Sequence, residues 1–551
     1  MSKNISSLSS RQGIENNLFD RLVEKGEATG TVSDQDIQSL ATEFLLGEGS
    51  VLSAASFYDF LKRENQGKKA YVCNGTACLV AGTQKELKEN LKSQFKEDEL
   101  GEICCLGRCH EAGAFQAGGI NYSGLKTKDF KDFKNHTKSG REEYPIKSNL
   151  KDPLLTGKFK GYDLLENVLA QTPDSLLQEI KDSQLRGRGG AGFPAGIKWE
   201  TCKNFSSDKK FIVCNADEGD PGAYTDRYLL EEQPELVLFG MMIAGYICGA
   251  DTGILYIRME YPDSLRIIND AVKKLEDSAW LGENICGSGF NFRFKVIKGA
   301  GAYICGEETA LLASLEGQRP EVRVRPPFPA ESGLFLKPTI VNNVETFAFI
   351  YNILEKGGAN FAKVGTAKST GSKLVSLDST FNTPGVYEVE MGTALNVVIN
   401  EFGGGFKIPV KAIQVGGPLG GVIPDHMFDS LTIDFESFKE GGFLLGHAGI
   451  VGIPESFSMA EYIEHLFEFT AAESCGKCFP CRLGSVRGQE LMEKSRHENY
   501  KIDPELMNDL LEALEETSLC ALGGGVPLPI KNILHYFEPE LEEFFIQKEK
   551  S

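Results

Sequence analysis

Two sets of cysteines near opposite ends of the chain restrict what this polypeptide can fold around. The 551 residues contain 14 cysteines, and most of them fall within residues 73–109 or 475–520. The N-terminal segment MSKNISSLSSRQG lacks the apolar core of a secretory signal, so we expect a cytoplasmic protein in a reducing environment. Clustered cysteines in such proteins more often bind metal or carry out redox chemistry than form disulfides.

The C-terminal set has the spacing C-x2-C-x2-C, from Cys475 through Cys478 to Cys481, followed by a distant Cys520. Three thiolates on a tight turn can bind three irons of a cubane, and a distant fourth thiolate can complete it. A structural zinc ion also takes four thiolates, but usually from two separated C-x2-C pairs. The three-plus-one pattern therefore favours a [4Fe–4S] cluster over zinc.

The N-terminal set combines C-x4-C, from Cys73 to Cys78, with C-x3-C, from Cys105 to Cys109. Two such loops can hold the two irons of a [2Fe–2S] cluster, with one cysteine pair on each iron. Zinc or a redox dithiol is the alternative, although C-x4-C is wide for a thioredoxin-type dithiol. Cys104 is left as a spare.

The length predicts several domains, because 551 residues exceed one ordinary hydrophobic core. Hydrophobic residues make up 41% of the chain, which is enough to fill such cores. We predict an α/β multidomain protein with six segments. They are helical residues 1–65, a thioredoxin-like domain at 66–125, a polar linker at 126–150, a glycine-rich α/β domain at 151–370, a β-grasp-like domain at 371–455 and a helical C-terminal domain at 456–551.

The net charge of −20 argues against a nucleic-acid-binding protein, because contacts with phosphates need clustered Lys and Arg. No apolar stretch is long enough and free enough of charge for a transmembrane helix, so we expect no membrane insertion. The acidic composition instead favours partners that dock on specific faces of the protein.

The stretch LRGRGGAGFP, followed by Lys198, is suited to a phosphate, because successive glycine amides can cradle one. Arg188 or Lys198 could add charge-assisted contacts. Glycine-rich loops also serve as turns, and the G-x-G-x-x-G match here follows no convincing strand, so a Rossmann interpretation is weak. The candidate binding residues of this stretch are Gly187, Arg188, Gly189, Gly190, Phe193 and Lys198.

Two further segments place acids beside glycine turns. One follows a strand candidate at residues 210–215, and polar residues at the carboxyl end of a strand commonly meet a ligand. The other precedes a predicted helix, where paired acids could simply complement the helix dipole. Both are also fit to bind ribose or flavin hydroxyls. Their candidate residues are Asn215, Asp217, Glu218 and Asp220 in the first segment, and Tyr303, Gly306, Glu307 and Glu308 in the second.

Five long segments, in order, resemble the 51 kDa flavoprotein subunit of respiratory complex I. They are LRGRGGAGFPAGIKW, NADEGDPGAYTDR, GAGAYICGEETALLASLEG, PPFPAESGLFLKPTIVNNVETFA and ESCGKCFPCRLG with CALGGG. The resemblance covers about residues 150–540, and residues 1–125 resemble the 24 kDa [2Fe–2S] subunit, so the two would be fused here. The same module occurs in soluble NAD-reducing hydrogenases, NAD-dependent formate dehydrogenases and electron-bifurcating enzymes.

The resemblance implies FMN at residues 187–193 and 215–218 and an SLBB-type domain at residues 371–455. It implies NADH stacked by Phe193 and Phe328, with Glu307 beside the ribose. A carboxylate there would repel the extra phosphate of NADPH, which favours NAD(H). Two positions depart from the family pattern, Thr201 and Asp220. Further residues implied near FMN are Lys198, Gly306, Glu308, Asn342, Asn343 and Thr346.

A diaphorase subunit is the function that this resemblance implies. It would pass electrons between NAD(H), FMN, the two clusters and other subunits of a soluble redox complex. That complex could be a formate dehydrogenase, a hydrogenase, a bifurcating enzyme or an acyl-CoA reductase. Hydride transfer to FMN needs no general base, so we expect no catalytic triad. The alternative is a scaffold subunit with structural clusters and no NADH activity of its own, against which the glycine stretch, Lys198 and the paired acids argue.

Overall fold

A computed structural model describes residues 13–15, 17–124 and 144–547 of the chain. Most of the predicted linker lies outside these residues. The helices are α1 (Leu18–Thr29), α2 (Asp34–Glu43), α3 (Glu48–Ala55), α4 (Thr76–Val80), α5 (Gln84–Leu91), α6 (Asp163–Leu169), α7 (Pro173–Asp182), α8 (Ala195–Asn204), α9 (Thr225–Glu232), α10 (Pro234–Cys248), α11 (Pro262–Asp277), α12 (Glu308–Leu315), α13 (Pro329–Ser332), α14 (Val344–Lys356), α15 (Gly358–Phe361), α16 (Leu395–Val397), α17 (Phe435–Glu440), α18 (Met459–Glu473), α19 (Ser485–His497), α20 (Pro504–Thr517), α21 (Ala521–Gly525), α22 (Pro527–Tyr536) and α23 (Glu538–Leu541).

The strands form three sheets. They are β1 (Ala70–Cys73), β2 (Leu100–Ile103), β3 (Ala114–Ala117), β4 (Ile120–Ser123), β5 (Ile146–Ser148), β6 (Phe211–Ala216), β7 (Thr252–Ile257), β8 (Gly282–Ile285), β9 (Phe290–Lys298), β10 (Thr339–Asn343), β11 (Ser372–Leu377), β12 (Gly385–Glu390), β13 (Val410–Val415), β14 (Val422–Pro424) and β15 (Gly449–Pro454).

The thioredoxin-like sheet has the strand order β2-β1-β3-β4. Strand β1 pairs with β2 in parallel and with β3 in antiparallel fashion. Helix α5 turns Leu87 and Leu91 onto the sheet and leaves its lysines and glutamates in solvent, which is the pattern of an amphipathic helix on a small core. Both cysteine loops of the N-terminal set follow strands of this sheet, because Cys73 ends β1 and Cys105 comes just after β2.

The central sheet has the order β10-β6-β7-β9-β8, and its first four strands run parallel. Alternate residues of β6 enter different cores. Ile212 and Cys214 face the core built on α10 and α14, whereas Phe211 and Val213 face the N-terminal helices. Helices α1 to α3 thus cover the second face of the sheet, as parallel sheets require. The N-terminal helical segment is therefore a layer of the α/β domain.

The third sheet has the order β14-β13-β15-β11-β12-β5. Strand β5 pairs in parallel with β12, with Ile146 opposite Val386. Residues 146–148, which the sequence analysis placed in the linker, thus belong to this sheet. The buried carboxylate of Glu388 on β12 accepts hydrogen bonds from the amides of Leu154 at 2.8 Å and Thr156 at 2.9 Å, which fixes the chain that leaves β5.

The C-terminal region is helical, and α18 packs closely against α19. Gly488 on α19 permits this approach, because a Cβ there would lie 2.3 Å from the Phe467 ring. The predicted fold class, a mixed α/β multidomain chain with a thioredoxin-like start and a helical end, is confirmed. Among the described residues, no helix has both the length and the apolarity needed to span a membrane.

Candidate flavin and iron–sulfur site

Three asparagines meet where two central strands end. In the β10–β6 pair Asn343 lies opposite Asn215, and parallel strands bring their carboxyl ends to one edge of a sheet. The Asn215 side chain donates to the carbonyl of Gly306 at 2.7 Å. Asn343 donates from Nδ2 to the Asp226 carboxylate at 2.6 Å, while its Oδ1 caps α14. Asn342 is held by the Trp199 indole N–H at 3.3 Å.

The glycine stretch lies against this edge as a closed loop. Its amide at Gly187 donates to the Phe193 carbonyl at 2.9 Å, and a Cβ at Gly189 would lie 3.0 Å from the Asn343 Cβ. Gly190 has a φ of +120°, which a side chain rarely adopts. The loop follows α7 and not a strand, in keeping with the weak Rossmann interpretation. Its amides and the asparagines form one cradle.

The side chain of Arg188, one of the two cations that could contact a phosphate, does not face that cradle. Its backbone amide donates to Thr346 Oγ1 at 2.9 Å, but its guanidinium is buried and donates to the Thr370 carbonyl at 2.5 Å. Burial lowers its pKa to about 10. Lys198, the other of these two cations, does lie at the site, with Nζ 3.0 Å from the Val341 carbonyl and 3.4 Å from Glu308.

Two acids after β6, Glu218 and Asp220, form hydrogen bonds or ion pairs within the protein. Both carboxylate oxygens of Glu218 are engaged, because they accept from the amides of Asp226 at 3.0 Å and Arg227 at 3.1 Å at the start of α9. Glu218 is thus a helix cap, and its side chain is not available to a ligand. Asp220 accepts from the Tyr303 hydroxyl at 2.6 Å and lies 3.0 Å from His447 Nε2.

Asp217 is buried, and burial raises its pKa well above the usual range despite the Arg258 guanidinium 3.7 Å away. The backbone carbonyl of Asp217 contacts Gly306, where an added Cβ would lie 3.2 Å from it. Asp217 thus supports the turn that meets Asn215.

Glu307 combines the two roles that the sequence left open. Its Oε2 accepts from the amides of Thr309 and Ala310, each at 2.9 Å, and so caps α12. Its Oε1 is buried and has no hydrogen-bond partner among the described residues. A buried acceptor without a donor is costly, so this oxygen fits a ligand hydroxyl. Phe193 and Phe328, each 51% exposed, remain available for stacking.

The N-terminal thiols lie together as two pairs. The Sγ atoms of Cys105 and Cys109 are 3.5 Å apart, and the free thiols of Cys73 and Cys78 are close enough to shift each other's pKa, upward for Cys73 and downward for Cys78. No three His, Cys, Asp or Glu side chains in the described ranges converge on a position for one metal ion. Two thiol pairs suit one iron each, as the sequence predicts for [2Fe–2S].

Backbone amides surround these sulfurs. Gly107 donates to Cys105 Sγ at 3.3 Å, and Gly222 donates to Cys109 Sγ at 3.2 Å. Amides that point at sulfur stabilise cluster thiolates and tune their potential. Gly222 lies in the segment after β6, so the N-terminal set rests directly on the cradle region.

The C-terminal thiols Cys475, Cys478, Cys481 and Cys520 gather between α18, α19 and α21. Burial raises the pKa of Cys481 to about 11 and that of Cys520 to about 12, so metal binding must drive their deprotonation.

This set borders the other side of the cradle. The Tyr303 amide donates to the carboxylate of Glu473 at 2.9 Å, two residues before Cys475. The negative charge of Glu307 also acts on the Cys520 thiol.

Sequence reasoning missed several residues that hold this site. Arg258 donates to the Cys105 carbonyl at 2.8 Å and to Glu260 at 2.9 Å, and so ties the N-terminal set to the central sheet. Its position just after β7 was the signal that could have identified it. Asp226 and His447 gave no such signal, because their partners are distant in sequence.

Comparisons with known proteins agree with this arrangement. Residues 6–136 match the thioredoxin-like [2Fe-2S] ferredoxin family, residues 180–352 the Nuo51 FMN-binding domain, and residues 461–544 the NADH-ubiquinone oxidoreductase-F iron-sulfur binding region.

Relatives cover most of the chain. It is 43% identical over 387 residues to the NADP-reducing hydrogenase subunit HndC of Solidesulfovibrio fructosivorans, across 70% of this chain and 79% of that one. It is 32% identical over 560 residues to the NAD-reducing hydrogenase HoxS subunit alpha of Cupriavidus necator, across 95% and 91%. In a crystal structure of an NAD+-reducing [NiFe]-hydrogenase in the H2-reduced state, one chain matches with a TM-score of 0.85 at 29% identity, across 96% and 93%.

The fold and the site define a flavin and iron–sulfur oxidoreductase subunit with FMN-binding, [4Fe–4S] and [2Fe–2S] domains. The chain belongs to the family of the complex I 51 kDa flavoprotein, with a thioredoxin-like [2Fe–2S] domain joined to its N-terminus. It is an NADH:acceptor oxidoreductase subunit of the hydrogenase and complex I type.

Proposed function

We propose that this chain is the electron-entry subunit of a complex of the NAD-reducing hydrogenase type, where it exchanges electrons between NAD(H) and an iron–sulfur partner subunit. One observation carries the proposal: both thiol sets contact the loops of a single cradle. Gly222 joins the N-terminal set to it, and the Tyr303–Glu473 bond joins the C-terminal set. FMN, when bound, supplies the step between the two-electron chemistry of NADH and the one-electron chemistry of clusters.

Different residues of the cradle would bind the flavin and the nucleotide. The Gly187 amide is committed to the Phe193 carbonyl, whereas the amides of Gly189 and Gly190 suit a phosphate. The polar edge of Asn215, Asn342 and Asn343 suits the hydrogen-bonding rim of a flavin. The ammonium group of Lys198 would attract an anionic group of the bound cofactor near this edge. Phe193 and Phe328 would stack the rings of NAD(H), with the free Oε1 of Glu307 accepting from a ribose hydroxyl.

The C-terminal set is the proposed exit toward the partner. Cys478 and Cys520 are only partly buried, and Phe479 between the cluster ligands is 66% exposed. An exposed aromatic side chain beside a redox centre is suited to docking another protein. The N-terminal cysteines at 73, 78, 105 and 109 are all buried, which favours a role as an internal electron store.

The full-length relative favours a hydrogenase-type partner. The Cupriavidus necator subunit aligns with 95% of this chain, including the thioredoxin-like domain, whereas an NADH-quinone oxidoreductase subunit of Rhizobium meliloti aligns with 69%. The six-segment division of the chain is part of this proposal, with helices α1 to α3 acting as a layer of the α/β domain.

Reduction of a dye by NADH, measured on the purified full chain after anaerobic reconstitution, tests the activity. We expect NADH-dependent reduction that needs bound flavin. Flavin binding without dye reduction would favour the scaffold alternative. Capture of the chain from its host, followed by mass spectrometry, tests the partner, and a nickel-type catalytic subunit is the expected result.

A further inference from the structure

Two cations lie beside the two acids at the start of α12. Glu308 lies between two cations, with Lys198 Nζ at 3.4 Å and Arg325 Nη1 at 2.9 Å. The same Arg325 Nη1 is 3.9 Å from Glu307 Oε1, the oxygen that has no hydrogen-bond partner among the described residues. Two carboxylates thus face two cations, and their formal charges cancel. A phosphate entering here would not meet the uncompensated negative charge that the sequence suggested.

Arg325 has hydrogen-bonding capacity to spare. Only its Nη1 is engaged within the described part of the chain, so Nε and Nη2 keep their donors. Its side chain is 32% exposed and therefore reachable by a ligand. Arg323, two residues earlier, differs because its guanidinium is committed to Glu316 at 2.5 Å and to the Gly333 carbonyl. The free fork of a guanidinium matches a phosphate in geometry and charge.

Arg325 also stands close to the proposed nucleotide contacts. It is three residues from Phe328, the exposed ring proposed to stack on the coenzyme, and it faces the Glu307 oxygen proposed to accept from the ribose. The phosphate that distinguishes NADPH is carried on the adenosine ribose, at the hydroxyl for which an acid at this position selects. Arg325 is thus positioned to offset that selection.

We infer that the nucleotide site accepts NADP(H) in addition to NAD(H), with Arg325 as the residue that binds the 2′-phosphate. This inference rests on the proposed function, because it assumes that the ribose lies beside Glu307. It modifies the expectation from the Glu307 carboxylate alone, which favours NAD(H) over NADP(H). NADH remains the better substrate, since Glu307 still accepts from a free hydroxyl and repels a phosphate.

The first test is binding of adenosine 2′,5′-bisphosphate and of AMP to the full chain, measured by calorimetry, which does not depend on turnover. We expect Arg325→Ala to weaken bisphosphate binding by about 10- to 100-fold, the loss of one charge-assisted contact, and AMP binding by clearly less. Arg325→Lys keeps the charge but lacks the forked guanidinium, so its affinity for the bisphosphate should lie between those of wild type and Arg325→Ala. Arg266→Ala, on the exposed face of α11, is the matched control and should leave the affinity for both ligands unchanged.

The second test is the ratio of kcat/KM for NADPH to that for NADH in dye reduction, which should fall in Arg325→Ala by a similar factor. Wild-type protein that binds the bisphosphate no better than AMP and oxidises only NADH would overturn the inference and leave the proposed function standing. Equal losses for both ligands in Arg325→Ala would also overturn it. Protein that oxidises neither coenzyme would contradict the proposed function, and calorimetry would still decide whether Arg325 binds the phosphate.

Discussion

The two cysteine sets share the same ligand chemistry but lie in different surroundings. All four thiols of the N-terminal set are at most 3% exposed, whereas Cys478 and Cys520 of the C-terminal set are partly open to solvent. Backbone amides point at the N-terminal sulfurs, and the C-terminal set also has the Ser474 hydroxyl 3.3 Å from Cys481. The difference indicates two roles, because a covered centre can hold an electron while an open one can pass it to another protein.

Burial also ties the N-terminal set more firmly to the rest of the molecule. Hydrogen bonds of Arg258, Gly222 and Thr76 each link it to another domain. Of these three residues Arg258 is the charged one, and its side chain is buried. The predictions below test whether the two sets differ in attachment, accessibility and electron delivery.

Arg258→Met should have the largest effect. It leaves the buried carboxylate of Glu260 without its cation and removes the bond to the Cys105 carbonyl, at an expected cost of about 3–5 kcal/mol in the free energy of unfolding. Chemical denaturation followed through the absorbance of the [2Fe–2S] cluster measures this cost. Arg266→Met, in an exposed ion pair, is the control. Equal stability of the two variants would show that the N-terminal set is not anchored through Arg258.

Lowering the pH should loosen the contact between the two cysteine regions. His465 on α18 hydrogen-bonds Thr76 of α4 at 3.2 Å, and burial lowers its pKa from 6.5 to about 4. The folded protein therefore keeps His465 neutral, and its stability is complete above pH 6.5 and declines as the pH falls toward 4. The expected loss between pH 7 and pH 5 is about 2 kcal/mol.

Denaturation curves of wild-type protein and His465→Gln at both pH values measure this loss. The glutamine variant can still bond Thr76 but cannot gain a proton, so its stability should vary less with pH. An equal decline in both proteins would assign the effect to other groups.

Glu307→Gln should weaken coenzyme binding while both clusters still assemble. The amide keeps the shape of the side chain but loses the charge that accepts from a ribose hydroxyl, so we expect KM for NADH to rise by about tenfold. Steady-state dye reduction measures KM, and Glu276→Gln on the exposed face of α11 is the control. A KM no higher than that of the control would separate Glu307 from the coenzyme.

Iron removal should distinguish the two sets by rate. A chelator should release iron in two phases, the faster comprising about two-thirds of the total, because four of six irons belong to the more open cluster. Iron release followed by absorbance measures the phases. Cys78→Ser should remove the slow phase and Cys478→Ser the fast one. The reverse assignment would contradict the difference in accessibility.

The sequence predicted the parts of this molecule that depend on local spacing. Cysteine spacing indicated both cluster types, and the strand candidate at 210–215 located the acids that follow β6. What it could not predict depends on chain segments that meet only in the fold. Glu218 caps α9, Arg188 turns into the interior, and β5 adds to a sheet formed more than 200 residues later. Each involves a partner that neighbouring residues do not reveal.

Electron delivery in paired cysteine variants of the native complex tests the central claim most directly. In both Cys478→Ser and Cys78→Ser, NADH should still bleach the flavin absorbance, because the cradle residues are untouched. Reduction of the partner subunit should fall to background in Cys478→Ser and persist in Cys78→Ser. Normal partner reduction in Cys478→Ser would contradict the account, because electrons would then leave by a route that avoids the C-terminal cysteines.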